Sequence, residues 1–192
     1  MGWNLGGKTL GVVGLGSIGS TVARLGRGWD MRVVGCVERP GPTRAATFAA
    51  QGIELMDLHD VLAASDFVSV HVPLDASTRG LIGAAELGRM RPGSFLVNIA
   101  RGGVVDEAAL LAALQAGDRP AGAGLDVHVA EGEGKVSPLA ALPNVVLTPH
   151  IGASTVDAQR EIGTEIVRIV DEAAASPSVA TATAGPAAEA RR

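Results

Sequence analysis

Side chains suited to carbonyl chemistry stand directly after apolar segments in the second half of the chain. Arg101 follows SFLVNIA, Asp126 and Glu131 follow GAGL, and His150 follows VVLTP. An open parallel sheet places its binding crevice at the carboxyl ends of its strands. We therefore expect a guanidinium, carboxylates and an imidazole to lie in one crevice, where they could act on a carbonyl group.

Three of these residues have both a possible chemical role and an ordinary structural alternative. Arg101 could hold a substrate carboxylate through two hydrogen bonds and polarise the carbonyl, or it could be a helix-cap partner. His150 could exchange a proton while Glu131 orients its ring and favours its charged form. Alternatively, His150 is a histidine with satisfied hydrogen bonds and Glu131 an exposed loop charge. Spacing alone leaves both alternatives open.

A glycine-rich segment near the start of the chain predicts a dinucleotide site. A short apolar run is followed by Gly14, Gly16 and Gly19 in G-x-G-x-x-G spacing, and then by a helical pattern. The first glycine permits a tight turn, the second lets the backbone approach a pyrophosphate, and the third lets the helix pack on the strand. Because the chain has 26 glycines, the prediction depends on the rest of the fold.

The ribose of a dinucleotide is expected to meet an acidic residue at the end of the second strand. Glu38 lies there, within CVERP, and Arg39 follows it directly. Glu38 would bind the ribose hydroxyls of NAD, whereas Arg39 would meet the 2′-phosphate of NADP. A surface charge pair at the end of the strand is the structural alternative.

Apolar, β-branched runs alternate with Ala- and Leu-rich segments of helical length, which is typical of βαβ units. This alternation predicts an α/β fold, a Rossmann-type, doubly wound, mostly parallel seven-stranded sheet with helices on both faces. The predicted strands are 9–13, 32–37, 53–56, 67–72, 95–100, 123–127 and 145–148. The predicted helices are 18–27, 43–50, 58–64, 84–90, 107–116 with Asp106 as N-cap, and 154–174.

The length and the strand pattern predict one domain, 1–175, which the glycine turn marks as dinucleotide-binding. The composition beyond it predicts a disordered Ala/Pro-rich tail, 176–192. The chain has 47% hydrophobic residues, 19% charged residues and a net charge of -4. Because this composition does not suggest a basic surface, a nucleic-acid partner is not expected. No apolar run suggests a membrane span, and Cys36 is a single cysteine. The cytoplasm is the expected compartment.

Five segments closely resemble the nucleotide-binding domain of the D-2-hydroxyacid dehydrogenases, in the same order. They are GKTLGVVGLGSIG, VSVHVPLDASTRGLI, MRPGSFLVNIARGGVVDEAAL, GLDVHVAE and LPNVVLTPHIGAST. The resemblance implies that Arg101, Glu131 and His150 are the catalytic residues. It also implies NAD or NADP as cofactor, a small 2-hydroxy or 2-keto acid as substrate, and a homodimer formed through this domain.

The same resemblance implies which residues contact the cofactor. Ser17 and Ile18 would contact the pyrophosphate, Asp126 would bind the nicotinamide amide, and Val37 falls where the family usually has its ribose-binding Asp. The full set of expected cofactor-binding residues is Gly14, Gly16, Ser17, Ile18, Gly19, Val37, Glu38, Arg39, Val72, Pro73, Thr78, Ile99, Ala100, Arg101, Asp126, His150 and Gly152.

Two functional hypotheses follow. In the first, hydride passes between the substrate C2 and the nicotinamide C4 while His150 exchanges the proton. In the second, the chain is a non-catalytic, dinucleotide-dependent dimerisation or sensing module, like the family's corepressor branch or a degenerate paralogue. The second rests on the expectation that a substrate-binding domain is missing, since the family carries one before the segment that begins here at Gly7.

Overall fold

The computed structural model describes residues 4–117, 119–132 and 134–175. Within them the chain forms a seven-stranded sheet in which every neighbouring pair is parallel. The strands are β1 (Thr9–Val13), β2 (Arg32–Cys36), β3 (Ile53–Leu55), β4 (Phe67–Val70), β5 (Phe95–Asn98), β6 (Gly122–Leu125) and β7 (Val145–Leu147). The predicted fold is confirmed, and the sheet is entirely parallel rather than mostly so.

Because every pair of neighbouring strands is parallel, the carboxyl ends of all seven strands lie at one edge. The order is β3-β2-β1-β4-β5-β6-β7, so the chain runs outward in one direction from β1 and in the other from β4. Open α/β sheets bind ligands at such a switch point, outside the carboxyl ends of the strands. The loops after β1, β2 and β4 and those after β5, β6 and β7 therefore lie on the edge where a site is expected.

Helices connect the strands and cover both faces of the sheet. They are α1 (Ser17–Gly28), α2 (Pro42–Ala50), α3 (Leu58–Ala64), α4 (Ala84–Arg89) and α5 (Glu107–Ala116), and a 3₁₀ turn spans Pro138–Ala141. Asp106 caps α5 as predicted, because its carboxylate accepts the N–H groups of Ala108 and Ala109 at 3.0 and 3.1 Å.

Two hydrophobic cores lie on opposite faces of the sheet. Val12 of β1 packs with Ala23 of α1 and Phe48 of α2, whereas the next residue, Val13, packs with Leu62 of α3. Successive side chains of a strand point to opposite faces, which is why one strand supplies both cores. The second core continues through residues of α4, α5, β4, β5 and β6.

Several strands end earlier than predicted. The backbone leaves the sheet after Cys36, Val70 and Asn98, whereas strands were predicted to continue to 37, 72 and 100. At β5 the side chain of Asn98 accepts the N–H of Ala100, a bond that replaces the strand ladder. Beyond two of these points Val37 and Val72 line a cleft, and periodicity alone does not distinguish such residues from strand. The 3₁₀ turn was not predicted.

The chain divides into two compact units, Met1–His150 and Ile151–Arg192. The second unit contains α6 (Val156–Ala175), a helix predicted for 154–174, whose Ile162, Ile166 and Ile169 are exposed. On its surface Arg168 pairs with Glu165 and Glu172. The predicted domain boundary at 175 stays a prediction, and the predicted tail, 176–192, lies outside the described residues. Helices in the described ranges are too short or too polar to cross a membrane.

Candidate dinucleotide and catalytic site

The glycine turn after β1 has a distinct physical requirement at each glycine. Gly14 has φ +93°, and a Cβ there would lie 2.7 Å from the carbonyl oxygen of His71. A Cβ at Gly19 would lie 1.9 Å from the carbonyl oxygen of Gly14, so the start of α1 packs directly on the turn. A Cβ at Gly16 would meet nothing within 4 Å. Gly14 and Gly19 therefore serve the fold, while Gly16 faces open space that a ligand can occupy.

A cleft of about 600 Å³ opens beside this turn, at the switch point of the sheet. Ser17 and Ile18 begin α1 next to it, and Ile18 is 67% exposed. His71 lies in the wall of the cleft, where burial lowers its pKa. The predicted cofactor-binding residues that line the cleft are Gly14, Gly16, Val37, Glu38, Val72, Pro73 and Thr78.

The loop after β4 forms one wall of the cleft and is held by its own side chains. Thr78 Oγ1 donates to the carbonyl of Pro73 at 2.6 Å and accepts the N–H of Asp75 at 2.9 Å. The Asp75 carboxylate accepts the hydroxyl and the N–H of Ser77, bonds that lower the pKa of Asp75. These hydrogen bonds therefore hold the loop at the mouth of the cleft.

Glu38 and Arg39 lie just beyond the end of β2. Their side chains are 77% and 89% exposed and form an ion pair at 3.3 Å. Glu38 lines the cleft, so its carboxylate can reach a ligand there. Arg39 neutralises part of the charge of Glu38 at the surface.

Arg101 lies in a short loop after β5 that the side chain of Asn98 holds through hydrogen bonds to the backbone. Asn98, the last residue of β5, is 2% exposed. Its side-chain amide donates to the carbonyl of Arg101 at 3.1 Å, and its side-chain oxygen accepts the N–H of Ala100 at 3.1 Å. The Arg101 guanidinium is exposed and donates to the carbonyl of Ala100 at 2.6 Å. Backbone positions around Arg101 are thus fixed while its side chain stays accessible.

Glu131 and His150 form a hydrogen-bonded pair beyond the ends of β6 and β7. Glu131 accepts His150 Nδ1 at 3.0 Å with one carboxylate oxygen and the N–H of His128 at 2.9 Å with the other. A carboxylate can only accept, so Nδ1 of His150 carries a hydrogen. The N–H of His128, and then the His150 ring, hold the pKa of Glu131 below its ordinary value. The pair lines a cavity of about 530 Å³.

The loop that carries Glu131 packs against the loop that carries Arg101. A Cβ at Gly102 would lie 1.9 Å from the carbonyl oxygen of His128, so only a glycine allows this approach. His128 Nε2 donates to the carbonyl of Thr148 at 3.1 Å. The Thr148 hydroxyl donates to Asp126 at 2.5 Å, and Asp126 is 7% exposed. The loops after β5, β6 and β7 thus form one connected assembly.

The predicted residues fall into two groups along the carboxyl edge of the sheet. One surrounds the glycine turn and the cleft, and the other comprises Ile99, Ala100, Arg101, Asp126, Glu131 and His150 at the ends of β5, β6 and β7. Gly152 belongs to the second unit. In the described part of the chain, no group of three or more His, Cys, Asp or Glu side chains could hold a metal ion.

Asn98 and Gly102 were not among the predicted residues. Asn98 is a polar residue that ends an apolar strand, and Gly102 opens a Gly-Gly pair after Arg101. Both features were visible in the sequence. Their purpose depends on contacts between separate loops, which no local pattern predicts.

Comparison with known proteins agrees with this geometry. Residues 1–152 match the family described as D-isomer specific 2-hydroxyacid dehydrogenase, NAD binding domain. The chain is 48% identical over 164 residues to D-3-phosphoglycerate dehydrogenase of Mycobacterium tuberculosis, covering 85% of this chain and 30% of the relative.

Solved structures show the same likeness. A glyoxylate reductase from Paecilomyes thermophila is 37% identical with a TM-score of 0.80, and the match covers 90% of this chain and 51% of that one. D-lactate dehydrogenase from Aquifex aeolicus, solved with NAD and lactic acid, is 34% identical with a TM-score of 0.79, covering 89% and 54%. The chain thus spans about 30% of the length of the curated relatives it matches. It belongs to the D-isomer-specific 2-hydroxyacid dehydrogenase family, of which it carries the NAD-binding domain.

Proposed function

We propose that the chain is the NAD-binding, catalytic-residue-bearing part of a dehydrogenase that interconverts a small 2-hydroxy acid and the corresponding 2-keto acid. The observation that carries this proposal is the Glu131–His150 hydrogen bond, on the same sheet edge as the glycine turn. A proton-exchanging group oriented by a carboxylate, beside a dinucleotide cleft, suits oxidation of an alcohol to a carbonyl.

The residues of the cleft fit a dinucleotide. A Cβ at Gly16 would project into open space at the N-terminus of α1, where backbone N–H groups favour a pyrophosphate. Val72 and Pro73 would flank the cofactor, and Asp126 would accept a hydrogen bond from the nicotinamide amide. When bound, the dinucleotide supplies the ring that accepts or donates hydride.

The remaining steps belong to this chain's own side chains. His150 Nδ1–H donates to Glu131, so Nε2 is the atom that takes the proton from the substrate hydroxyl and returns it in the reverse direction. The ionised Glu131 stabilises the charge on the ring after it has taken the proton. Arg101 binds the substrate carboxylate through its guanidinium and orients C2.

NAD is the proposed cofactor in preference to NADP. Glu38 lines the cleft and presents a carboxylate, which binds ribose hydroxyls and repels a 2′-phosphate. Arg39 is already paired with Glu38. Titration with NADH and NADPH tests this choice. Glu38→Gln should weaken NADH binding and narrow the difference between the affinities for NADH and NADPH. Tighter binding of NADPH by the unaltered chain would overturn it.

A homodimer formed through this domain, working in the cytoplasm, completes the proposal. Leu25 and Trp29, four residues apart at the end of α1, are large apolar side chains that stay 46% and 56% exposed, as expected of a surface that another copy covers. The single cysteine, Cys36, is a free thiol whose pKa burial raises, which suits a reducing compartment. Light scattering of the purified chain tests the dimer, and a monomer at every concentration would contradict it.

The non-catalytic module is not adopted. The matched relatives bear the names of dehydrogenases and a reductase, and the Glu131–His150 pair is intact. Nothing in the described part of the chain favours a sensing role over catalysis.

Fluorescence titration with NADH is the first test, followed by NADH oxidation with glyoxylate, hydroxypyruvate and pyruvate. Binding followed by turnover that His150→Asn abolishes would support the proposal. Asn is the matched variant because His150 has φ +57°, a conformation that Asn also adopts. Failure of the folded chain to bind either dinucleotide would overturn the proposal.

A further inference from the structure

We infer that Glu107 is a positioning residue for the Glu131–His150 pair. Glu107 Oε1 accepts the N–H of Val129 at 2.6 Å. Val129 follows His128, whose own N–H donates to Glu131 at 2.9 Å. Two successive N–H groups of this loop are therefore held by carboxylates, one from within the loop and one from α5. The inference rests on the proposed roles of Glu131 and His150.

The backbone that precedes Glu107 is held in place by packing and hydrogen bonds. Val104 and Val105, just before α5, are 0% and 1% exposed, and Val105 pairs with Ile82 in an isolated bridge. The N–H of Asp106 donates to the carbonyl of Ile82 at 3.0 Å. The first helical residue, Glu107, therefore starts from a position that packing and hydrogen bonds fix on both sides.

Helix α5 does not need the Glu107 carboxylate as a cap. Asp106 already accepts the N–H groups of Ala108 and Ala109, which are two of the orphan donors of the first turn. The Glu107 side chain is directed instead to the loop after β6. Its hydrogen bond to the N–H of Val129 thus joins α5 to a different element, which indicates a role outside the helix.

His128 is also held by its contacts with Gly102 and Thr148, whereas the next residue, Val129, lies at the surface. Val129 is 66% exposed, and Gly132 has φ +121°. A glycine can adopt more backbone conformations than other residues, so this part of the loop loses more conformational entropy when it is ordered. Loss of the Glu107 bond would release the Val129 N–H to water and loosen the turn between His128 and Glu131. The carboxylate of Glu131 would then hold the His150 ring less firmly.

Two explanations of Glu107 can be separated by matched variants. An acidic residue in the first turn also stabilises a helix through its charge. Glu107→Gln removes the charge and keeps an oxygen that can accept the Val129 N–H. Glu107→Asp keeps the charge and withdraws the acceptor by one methylene. If Glu107 positions the loop, the variant that keeps the acceptor should behave like the unaltered chain. If Glu107 acts through its charge on the helix, the variant that keeps the charge should do so.

The readout is the tautomer of His150, measured by ¹⁵N NMR on the full chain labelled at histidine, at a pH where free imidazole is neutral. His150→Asn assigns the signal. The unaltered chain and Glu107→Gln should show the Nδ1–H form, while Glu107→Asp and Glu107→Ala should shift toward the Nε2–H form that free histidine prefers. Glu86→Ala is the control, because Glu86 accepts the N–H of Gly83 at 3.1 Å in the first turn of α4.

Several outcomes would overturn the inference. Unchanged His150 signals in Glu107→Asp and Glu107→Ala would show that the bond to Val129 does not position the pair. Equal shifts in Glu107→Gln and Glu107→Ala, with none in Glu107→Asp, would assign the effect to charge. If Glu107→Ala does not fold, Glu107→Asp decides the question. An Nε2–H signal from His150 in the unaltered chain would instead contradict the Glu131–His150 hydrogen bond on which the proposed function rests. That outcome is distinct from failure of the inference about Glu107.

Discussion

Glu131 and His150 lie 19 positions apart in the chain and are joined by a 3.0 Å hydrogen bond between a carboxylate oxygen and the imidazole Nδ1. His150 reaches this position with φ +57°, a left-handed conformation uncommon for residues other than glycine. Backbone strain of this kind persists where the surrounding structure holds it, and it clusters at functional sites. The strained residue here is the one proposed to exchange the proton.

Glu131 is expected to stay ionised at pH values where an ordinary glutamate is protonated. The N–H of His128 and the His150 ring hold its pKa below the ordinary value of 4.5. Because the folded-state pKa is depressed, this stabilisation is fully present above pH 4.5 and is lost as the pH falls through the lower folded-state value. An acid titration of the Glu131 carboxyl carbon by ¹³C NMR measures the midpoint.

His150→Asn provides the control for that titration. Asn tolerates the left-handed backbone but removes the imidazole donor, so the Glu131 midpoint should rise toward the ordinary value. The side chain of Glu131 is 40% exposed, so solvent limits the size of the effect. A midpoint in the unaltered chain at or above that of an ordinary glutamate would contradict the hydrogen bonding described here.

The glycines of the turn after β1 should separate into folding and binding positions. Gly19→Ala places a Cβ 1.9 Å from the Gly14 carbonyl oxygen, and we expect a loss of more than about 3 kcal/mol in the free energy of unfolding. Gly16→Ala meets nothing within 4 Å, so it should cost no more than about 1 kcal/mol, as for a weaker N-cap.

Urea denaturation and NADH titration measure the two effects on the same proteins. Gly16→Ala should keep the fold and lose NADH affinity, because the added methyl group occupies the space proposed for the pyrophosphate. Strong NADH binding by Gly16→Ala would argue against a pyrophosphate at that position.

The fold was predictable because its signals are local and repeated. Apolar runs at β1 through β7 and the polar cap at Asp106 gave all seven strands and the bounds of α5. The closeness of Glu131 and His150 was also predictable, since strand ends of a parallel sheet meet at one edge. The early ends of β2, β4 and β5 were not, because residues that line a crevice are as apolar as residues within a strand.

The supporting contacts of the site could not be predicted from the sequence. Asn98, Gly102 and Glu107 act through hydrogen bonds or close approaches to residues from other elements. Such contacts depend on how two loops are placed in three dimensions, and neither hydropathy nor spacing encodes that placement. In the sequence Glu107 is simply an acidic residue in the first turn of a helix, and its bond to the N–H of Val129 depends on where the loop after β6 lies.

Asn98→Ala is expected to destabilise the loop that presents Arg101. The substitution leaves the N–H of Ala100 and the carbonyl of Arg101 without the partners they have at 3.1 Å. Because Asn98 is buried, we expect a loss of about 2 kcal/mol in the free energy of unfolding. Asn98→Asp should restore only one of the two bonds, because a carboxylate accepts from Ala100 but cannot donate to Arg101. Urea denaturation of both variants measures this, and equal stability of Asn98→Ala and the unaltered chain would contradict it.

Gly102→Ala is expected to disturb the Glu131–His150 pair through the backbone. A Cβ at Gly102 would lie 1.9 Å from the carbonyl oxygen of His128, the residue whose N–H also donates to Glu131. The loop must move away, at a cost of about 1–3 kcal/mol in the free energy of unfolding for an overpacked contact. The same movement should shift the His150 ¹⁵N signals from the Nδ1–H form toward the Nε2–H form.

Gly124→Ala is the matched control for this substitution. Gly124 lies in β6, the strand that leads to the same loop, and a Cβ there would meet nothing within 4 Å. We expect its stability to stay within about 0.5 kcal/mol of the unaltered chain and its His150 signals to stay unchanged. If Gly102→Ala lost stability but kept the Nδ1–H form, the contact would matter for packing alone. Arg101 and the Glu131–His150 pair would then be independently positioned, and the assembly of loops after β5, β6 and β7 would not act as a unit.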